Sequence, residues 1–319
     1  GAPRALVDAQ FSQENLSMTT VTHMLPRDVQ LANEYRFNKK HIDGYIRKEL
    51  STGANAAKIT QGVQLLSKWR AGDYYTSKNA RLAQIQDLEL SELVTELFVS
   101  IAYVQREELF TSVSAQLASK LGFSDKPEAL TTIAEMLAVL CETDAFDIIK
   151  PNPQASLSLC SRLDLSEQLR EYIENATFLP PMVCPPNYVD NNRKSGYLTH
   201  NDSLVLGRGN HHEGDLCLDI INLQNQIPLQ LDKQFLCSFN AAPKHALDTA
   251  EQIEQWHLFQ KQSYKFFTLL VQQGNRMYLT HKVDKRGRLY SVGYHITTQG
   301  SAFQKAMLEL ADEEIVEGV

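Results

Sequence analysis

The chain has 319 residues, 43% hydrophobic and 22% charged, enough to bury a sizeable core in two or three domains. Its 31 Lys and Arg against 38 Asp and Glu leave a net charge of −7, so a grip on nucleic acid has to come from a local basic patch and not from the field of the whole molecule. Five scattered cysteines (Cys141, Cys160, Cys184, Cys217, Cys237) lack the close spacing of zinc or redox pairs, and no apolar run reaches the roughly 18 residues of a membrane span, so reduced thiols and a cytoplasmic location are expected.

Residues 1–17 read as a tag or leader ahead of Met18. The stretch 18–178 reads as an almost wholly helical domain. Leu31 to Leu50 and Ile59 to Trp69 carry the helical period, and Leu90, Leu93, Val94, Leu97, Phe98 and Ile101 form the apolar stripe of a helix running from Leu88 to Leu121 and closed by Gly122. Asp125, with Pro127 in the next turn and Glu128 three residues on, predicts a capping box that opens a further helix through Ala134, Leu137 and Leu140. Pro180, Pro181, Pro185 and Pro186 then forbid helix and mark a boundary. A proline-rich crossover with short strands, Leu204-Val205-Leu206 among them, is expected over 179–214. Helices broken by Pro228 and Pro243 follow over 215–275. The segment 276–319 predicts a strand pair from Met277 to Tyr294 around Lys285-Arg286-Gly287, a short helix from Ser301 to Leu310, and an acidic end. The fold class is α+β, mainly α.

Arg286, Arg288 and Tyr290 occupy alternate positions, so in extended backbone their side chains share one face. Guanidinium forks suit phosphate oxygens, and a tyrosine ring offers a surface for a base or ribose. Gly287 between the arginines supplies either a positive φ for a turn or room for a close backbone approach. A solvated hairpin in which Asp284 pairs with one arginine is the plainer reading of the same residues.

The order Asp284-Lys285-Arg286-Gly287-Arg288, then Leu289-Tyr290, Gln299-Gly300 and Lys305, resembles the hallmark that precedes the palm core in single-subunit DNA-dependent RNA polymerases of the phage and mitochondrial type. Pro181-Met182-Val183-Cys184-Pro185-Pro186 with Ser195-Gly196-Tyr197 is similar to that family's proline-rich entry strand and its sequel. Asp219 to Asn225, with Leu231-Asp232-Lys233 and Leu236, resembles its thumb helix and the lysine-bearing turn after it. The resemblance implies thumb helices over 215–275 and the first palm strands over 276–319. It implies that Arg286 and Arg288 contact template DNA, with Gly287 between them and Tyr290 packed alongside, and that Lys305 lies along the RNA–DNA hybrid.

The family's metal-binding aspartates do not follow Lys305, and Asp312, Glu313, Glu314 and Glu317 read as a solvated helix end. The resemblance therefore implies a two-chain phage enzyme: this chain supplies no catalytic or metal ligand, and a second polymerase subunit holds Mg²⁺ for two-metal nucleotidyl transfer in the infected bacterial cytoplasm. Leu169 to Asn175 runs almost directly into Phe178, leaving little room for the family's promoter-melting hairpin, so dependence on single-stranded template or an accessory single-stranded-DNA-binding protein is expected. The rival from another class is a helical protein-binding adaptor with no nucleic-acid role. A self-contained enzyme finds no nucleophile or acid–base cluster. His211-His212-Glu213 lacks a further ligand at zinc spacing, Gly207-Arg208-Gly209-Asn210 lacks the Lys of a phosphate loop, and Trp69, Trp256, Phe266 and Phe267 read as core.

Overall fold

The computed structural model describes residues 24–176, 178–313 and 318. The expected leader, Met18, Glu314 and Glu317 lie outside the described residues. The protein is α+β, about half helical, with few strands. It divides into two compact units, Lys39–Glu174 and the described residues up to Asn38 together with Asn175–Val319.

The unit Lys39–Glu174 is helical around a small sheet. After α1 (Pro26–Phe37), which belongs to the other unit, come α2 (Lys39–Leu50), α3 (Gly53–Arg70), α4 (Thr76–Ala83) and α5 (Leu90–Ala102), then β1 (Glu108–Leu109), α6 (Phe110–Ala118), α7 (Lys126–Leu140), β2 (Phe146–Ile149), β3 (Ser158–Ser161) and α8 (Glu167–Glu174). Ile42, Ile46, Leu66, Leu97, Phe98, Ile133, Leu137 and Phe146 are fully buried. Helix α3 approaches its neighbours closely through Gly62, where a Cβ would meet Leu140 at 3.0 Å and Val94 at 3.2 Å.

Four expectations need correction here. The helix predicted over Leu88 to Leu121 is two helices, because Gln105 to Glu108 offer no apolar face and the backbone turns extended, with the Val104 carbonyl accepting from Ser161 N at 3.1 Å. The near-wholly helical reading misses the antiparallel sheet ordered β1-β3-β2. Leu31 to Leu50 is likewise two helices, with extended backbone at Asn38 between them. At Asp125 the carboxylate accepts from Glu128 N at 2.8 Å as expected, but the Glu128 side chain accepts instead from Gln84 Nε2 at 3.1 Å.

In the other unit α1 buries a polar face. Glu34, fully buried, accepts from Leu198 N at 3.0 Å, Thr199 N at 2.9 Å, Thr199 Oγ1 at 2.8 Å and Gln30 Nε2 at 2.8 Å. Burial pushes its carboxyl up, but His200, Gln30 and the Thr199 and Leu198 amides outweigh that and hold it down at about 2. The segment 18–178 thus yields α1 to the C-terminal unit. That unit continues with α9 (Leu218–Asn225), β4 (Leu229–Leu231), α10 (Lys233–Ser238), α11 (Ala250–Gln272), β5 (His281–Val283), β6 (Leu289–Ser291), α12 (Ala302–Ala306) and β7 (Leu308–Leu310). The helical block expected from 215 contains β4, and the helix expected to reach Leu310 stops at Ala306, because Leu308–Leu310 pairs antiparallel with Leu229–Leu231. Leu204-Val205-Leu206 forms only a parallel bridge from Val205 to Val283. The main core gathers Tyr264, Phe267, Leu270, Met277, Leu279, Ile296 and Met307. All five cysteines are free.

Candidate nucleic-acid interface

Strands β5 and β6 form an antiparallel hairpin with His281 opposite Ser291, Lys282 opposite Tyr290 and Val283 opposite Leu289. The chain reverses because Asp284 organises the turn. Its carbonyl accepts from Gly287 N at 2.9 Å, and its Oδ1 accepts from the Arg286 and Arg288 amides, each at 2.9 Å. Oδ2 accepts from Arg288 Nε at 2.7 Å. The Arg288 backbone N–H leads the contacts that hold the Asp284 carboxyl below the usual range. Gly287 has φ 80°, and a Cβ there would meet nothing within 4 Å. Of the two roles open to it, the turn is the one realised.

The shared face of Arg286, Arg288 and Tyr290 needs partial correction. Arg288 and Tyr290 do lie together, the guanidinium carbon 5.9 Å from the ring centroid. Arg286 instead sits in the turn, since Gly287 ends the extended backbone before it is reached. Arg286 and Lys285 are exposed at the tip and form no ion pair among the described residues. Arg288 is paired with Asp284, as the plainer reading has it, and its side chain stays 61% exposed. Lys305 is exposed on α12, and no hydrogen bond or ion pair joins its side chain to the hairpin among the described residues.

The other two motif-bearing segments pack behind the hairpin. Met182 exchanges both backbone hydrogen bonds with Tyr278, at 2.9 and 2.7 Å. Gly196 lies against Pro186, where a Cβ would come within 3.2 Å, and its carbonyl accepts from Asn187 N at 2.8 Å. On α9, Asn222 and Asn225 are three residues apart and share one buried face. Asn222 reads both backbone groups of Val189 at 2.8 Å, and Asn225 Oδ1 lies 2.9 Å from His281 Nδ1. Burial pushes the His281 imidazole down to about 4, so it packs neutral under the hairpin.

The contacts of two residues escape sequence reasoning, although Gln299 itself stands in the motif. Lys282 is cross-strand partner to Tyr290 and holds Asp202 at 2.7 Å. Gln299 clasps the edge of β6, its Oε1 accepting from Ser291 N and its Nε2 donating to the Leu289 carbonyl, each at 2.9 Å. The pairing register locates Lys282, whereas the Gln299 contact spans a turn that has no periodic signal.

Asp312 follows a strand, not a helix end as expected, and is held by Arg276 through two hydrogen bonds of 2.7 and 3.0 Å. Among the described residues no three His, Cys, Asp or Glu side chains converge as metal ligands. His211 Nε2 lies 3.0 Å from a Glu213 carboxylate oxygen in the Gly207 to Gly214 loop. No described helix is long and apolar enough to cross a membrane. The sequence matches no family model, and no curated protein matches it.

Proposed function

We propose that this chain is the non-catalytic N-terminal subunit of a two-chain DNA-directed RNA polymerase. It grips template DNA and the RNA–DNA hybrid while a partner polypeptide supplies the carboxylates that hold Mg²⁺. One observation carries this reading: two segments that resemble the polymerase family, the proline-rich stretch and α9, pack behind the third, the hairpin, whose turn presents Arg286 and Lys285 and keeps Arg288 beside Tyr290. A turn fixed by its own aspartate presents cations on a backbone that needs no further ordering, so less backbone entropy is lost when phosphates arrive. With a net charge of −7 around it, the patch acts at short range only.

The test is binding of a fluorescent single-stranded template across a salt series, followed by Mg²⁺-dependent primer extension with the co-purified partner. Each phosphate contact contributes about 0.7 to the salt slope on a single strand. Arg286→Ala and Arg288→Ala should each flatten that slope by about this amount and slow extension while leaving the complex intact. Unchanged slopes in both variants would remove the grip.

Helix α9 supports a second reading, that of a protein-binding adaptor. Its outer face exposes Ile220 at 42% and Leu223 at 63%, with Asn222 and Asn225 turned inward. Wild-type binding to a protein partner combined with no measurable affinity for nucleic acid would favour it.

A further inference from the structure

The C-terminal unit carries a second aromatic surface that the hairpin grip does not use. Helix α11, the loop before it and the segment after β6 enclose an open groove of about 660 Å³. Its walls are rings from three separate stretches of chain. Phe178 and Tyr294 stack in parallel, 4.1 Å apart with 4° between planes, and Tyr294 remains 50% exposed. Phe259 meets Tyr294 edge-on at 5.5 Å and lies near-parallel to Trp256, at 5.5 Å and 24°. Trp256 and Phe259 are only partly buried, so the core reading of Trp256 does not account for this surface.

The polar groups around these rings restrict what fits. The Gln255 and Gln262 amides line the groove and hydrogen-bond to no other described residue. Lys244 is exposed at the rim and unpaired among the described residues, with Glu251 the one carboxylate lining the groove. Flat rings stack on any base, open amides match base edges, and a lone lysine suits a phosphate. Tyr294 also follows Tyr290 by four residues, so their Cα atoms are at most about 14 Å apart, a span that one strand of a few nucleotides can bridge.

We infer that this groove is a base-stacking site for an unpaired stretch of nucleic acid, extending the strand held at the hairpin. The inference rests on the grip reading for its continuity with the hairpin. Groove and grip nevertheless leave different signatures. The rings contribute stacking, which leaves the salt slope unchanged when one of them is removed, whereas the arginines act through phosphate and set it.

The experiment uses the full chain and a 15-nucleotide oligothymidylate, followed by tryptophan emission and by anisotropy across a salt series. Saturable quenching is expected, and Trp256→Phe should abolish it. Tyr294→Leu keeps apolar bulk without the flat ring and should weaken binding about tenfold at an unchanged salt slope, while Tyr294→Phe should bind like the wild type. The contrast separates loss of the ring from loss of the hydroxyl, and the unchanged salt slope shows that the rest of the chain still folds. Tyr294→Leu binding as tightly as wild type, or no quenching by bound oligonucleotide, overturns the groove and leaves the grip untouched. Flat salt slopes for the arginine variants alongside normal quenching overturn the grip and leave the groove.

Discussion

At the scale of single residues, the hairpin depends on one aspartate and one glycine. Asp284 lies beside the patch proposed to hold phosphate, and by charge alone its removal would strengthen that binding. Its geometry argues the reverse, since the same carboxylate fixes both arginine amides and the Arg288 side chain. Asp284→Asn keeps an oxygen acceptor for the two amides and releases the Arg288 guanidinium, so it should bind single-stranded DNA at least as tightly as the wild type. Asp284→Ala removes the acceptor and should bind more weakly. A tighter-binding alanine variant in the same anisotropy titration would show that charge outweighs turn geometry. Gly287 is a simpler case. With φ 80° and open space where a Cβ would stand, Gly287→Ala is a purely conformational perturbation. It should lower stability in urea unfolding by about 1 kcal/mol. A loss several times larger would mean that the hairpin tip is packed rather than free.

At the scale of elements, α9 ties the entry segment to the hairpin through amides rather than apolar contact. Among the described residues Asn222 alone reads both backbone groups of buried Val189, so Asn222→Ala leaves an unsatisfied donor and acceptor and should cost about 3 kcal/mol. Leu223→Ala, on the exposed face of the same helix, should stay within about 0.5 kcal/mol. Equal losses in chemical unfolding would contradict this division of the helix. The two faces also show what could be read in advance. Helices α5 and α7 were legible because an apolar stripe or an aspartate cap announces each. The hairpin was legible from its alternation and its glycine. Helix α1 hides its place in the fold because three of its four buried residues, Gln30, Asn33 and Glu34, are polar and only Phe37 is apolar, so no hydrophobic period reveals the face. Strands β1 and β7 have two and three residues, too few to display a period of two, and they exist because distant partners supply their hydrogen bonds. For the same reason Arg288 and Tyr290 could be placed together from spacing, whereas the clasp of Gln299 on β6 could not.

At the scale of the whole molecule, the buried titratable groups concentrate acid sensitivity in one unit. Burial pushes His281 and His295 down to about 4, and Glu34 is held down at about 2 by its hydrogen bonds despite its burial. All three belong to the unit that contains α1 and 175–319. At neutral pH each is already in the form the fold prefers, two neutral imidazoles and one ionised carboxylate. As pH falls from about 6.5 to about 4, the unfolded chain takes up protons on both histidines while the folded chain does not. Stability therefore drops across that window by up to about 3 kcal/mol per histidine. The contribution of Glu34 is present above about 4.5 and is lost as pH falls from there towards about 2. Each unit carries one tryptophan, Trp256 in this unit and Trp69 in Lys39–Glu174. In an acid titration of Trp69→Phe and Trp256→Phe variants, Trp256 emission should shift at higher pH than Trp69 emission. His281→Asn should reduce the steepness between pH 6.5 and 4 whatever it does to baseline stability, because the proton uptake that drives the loss is no longer available to that position. Coincident transitions below pH 4, with the slope unaltered in the histidine variant, would mean that these imidazoles do not govern the acid limb.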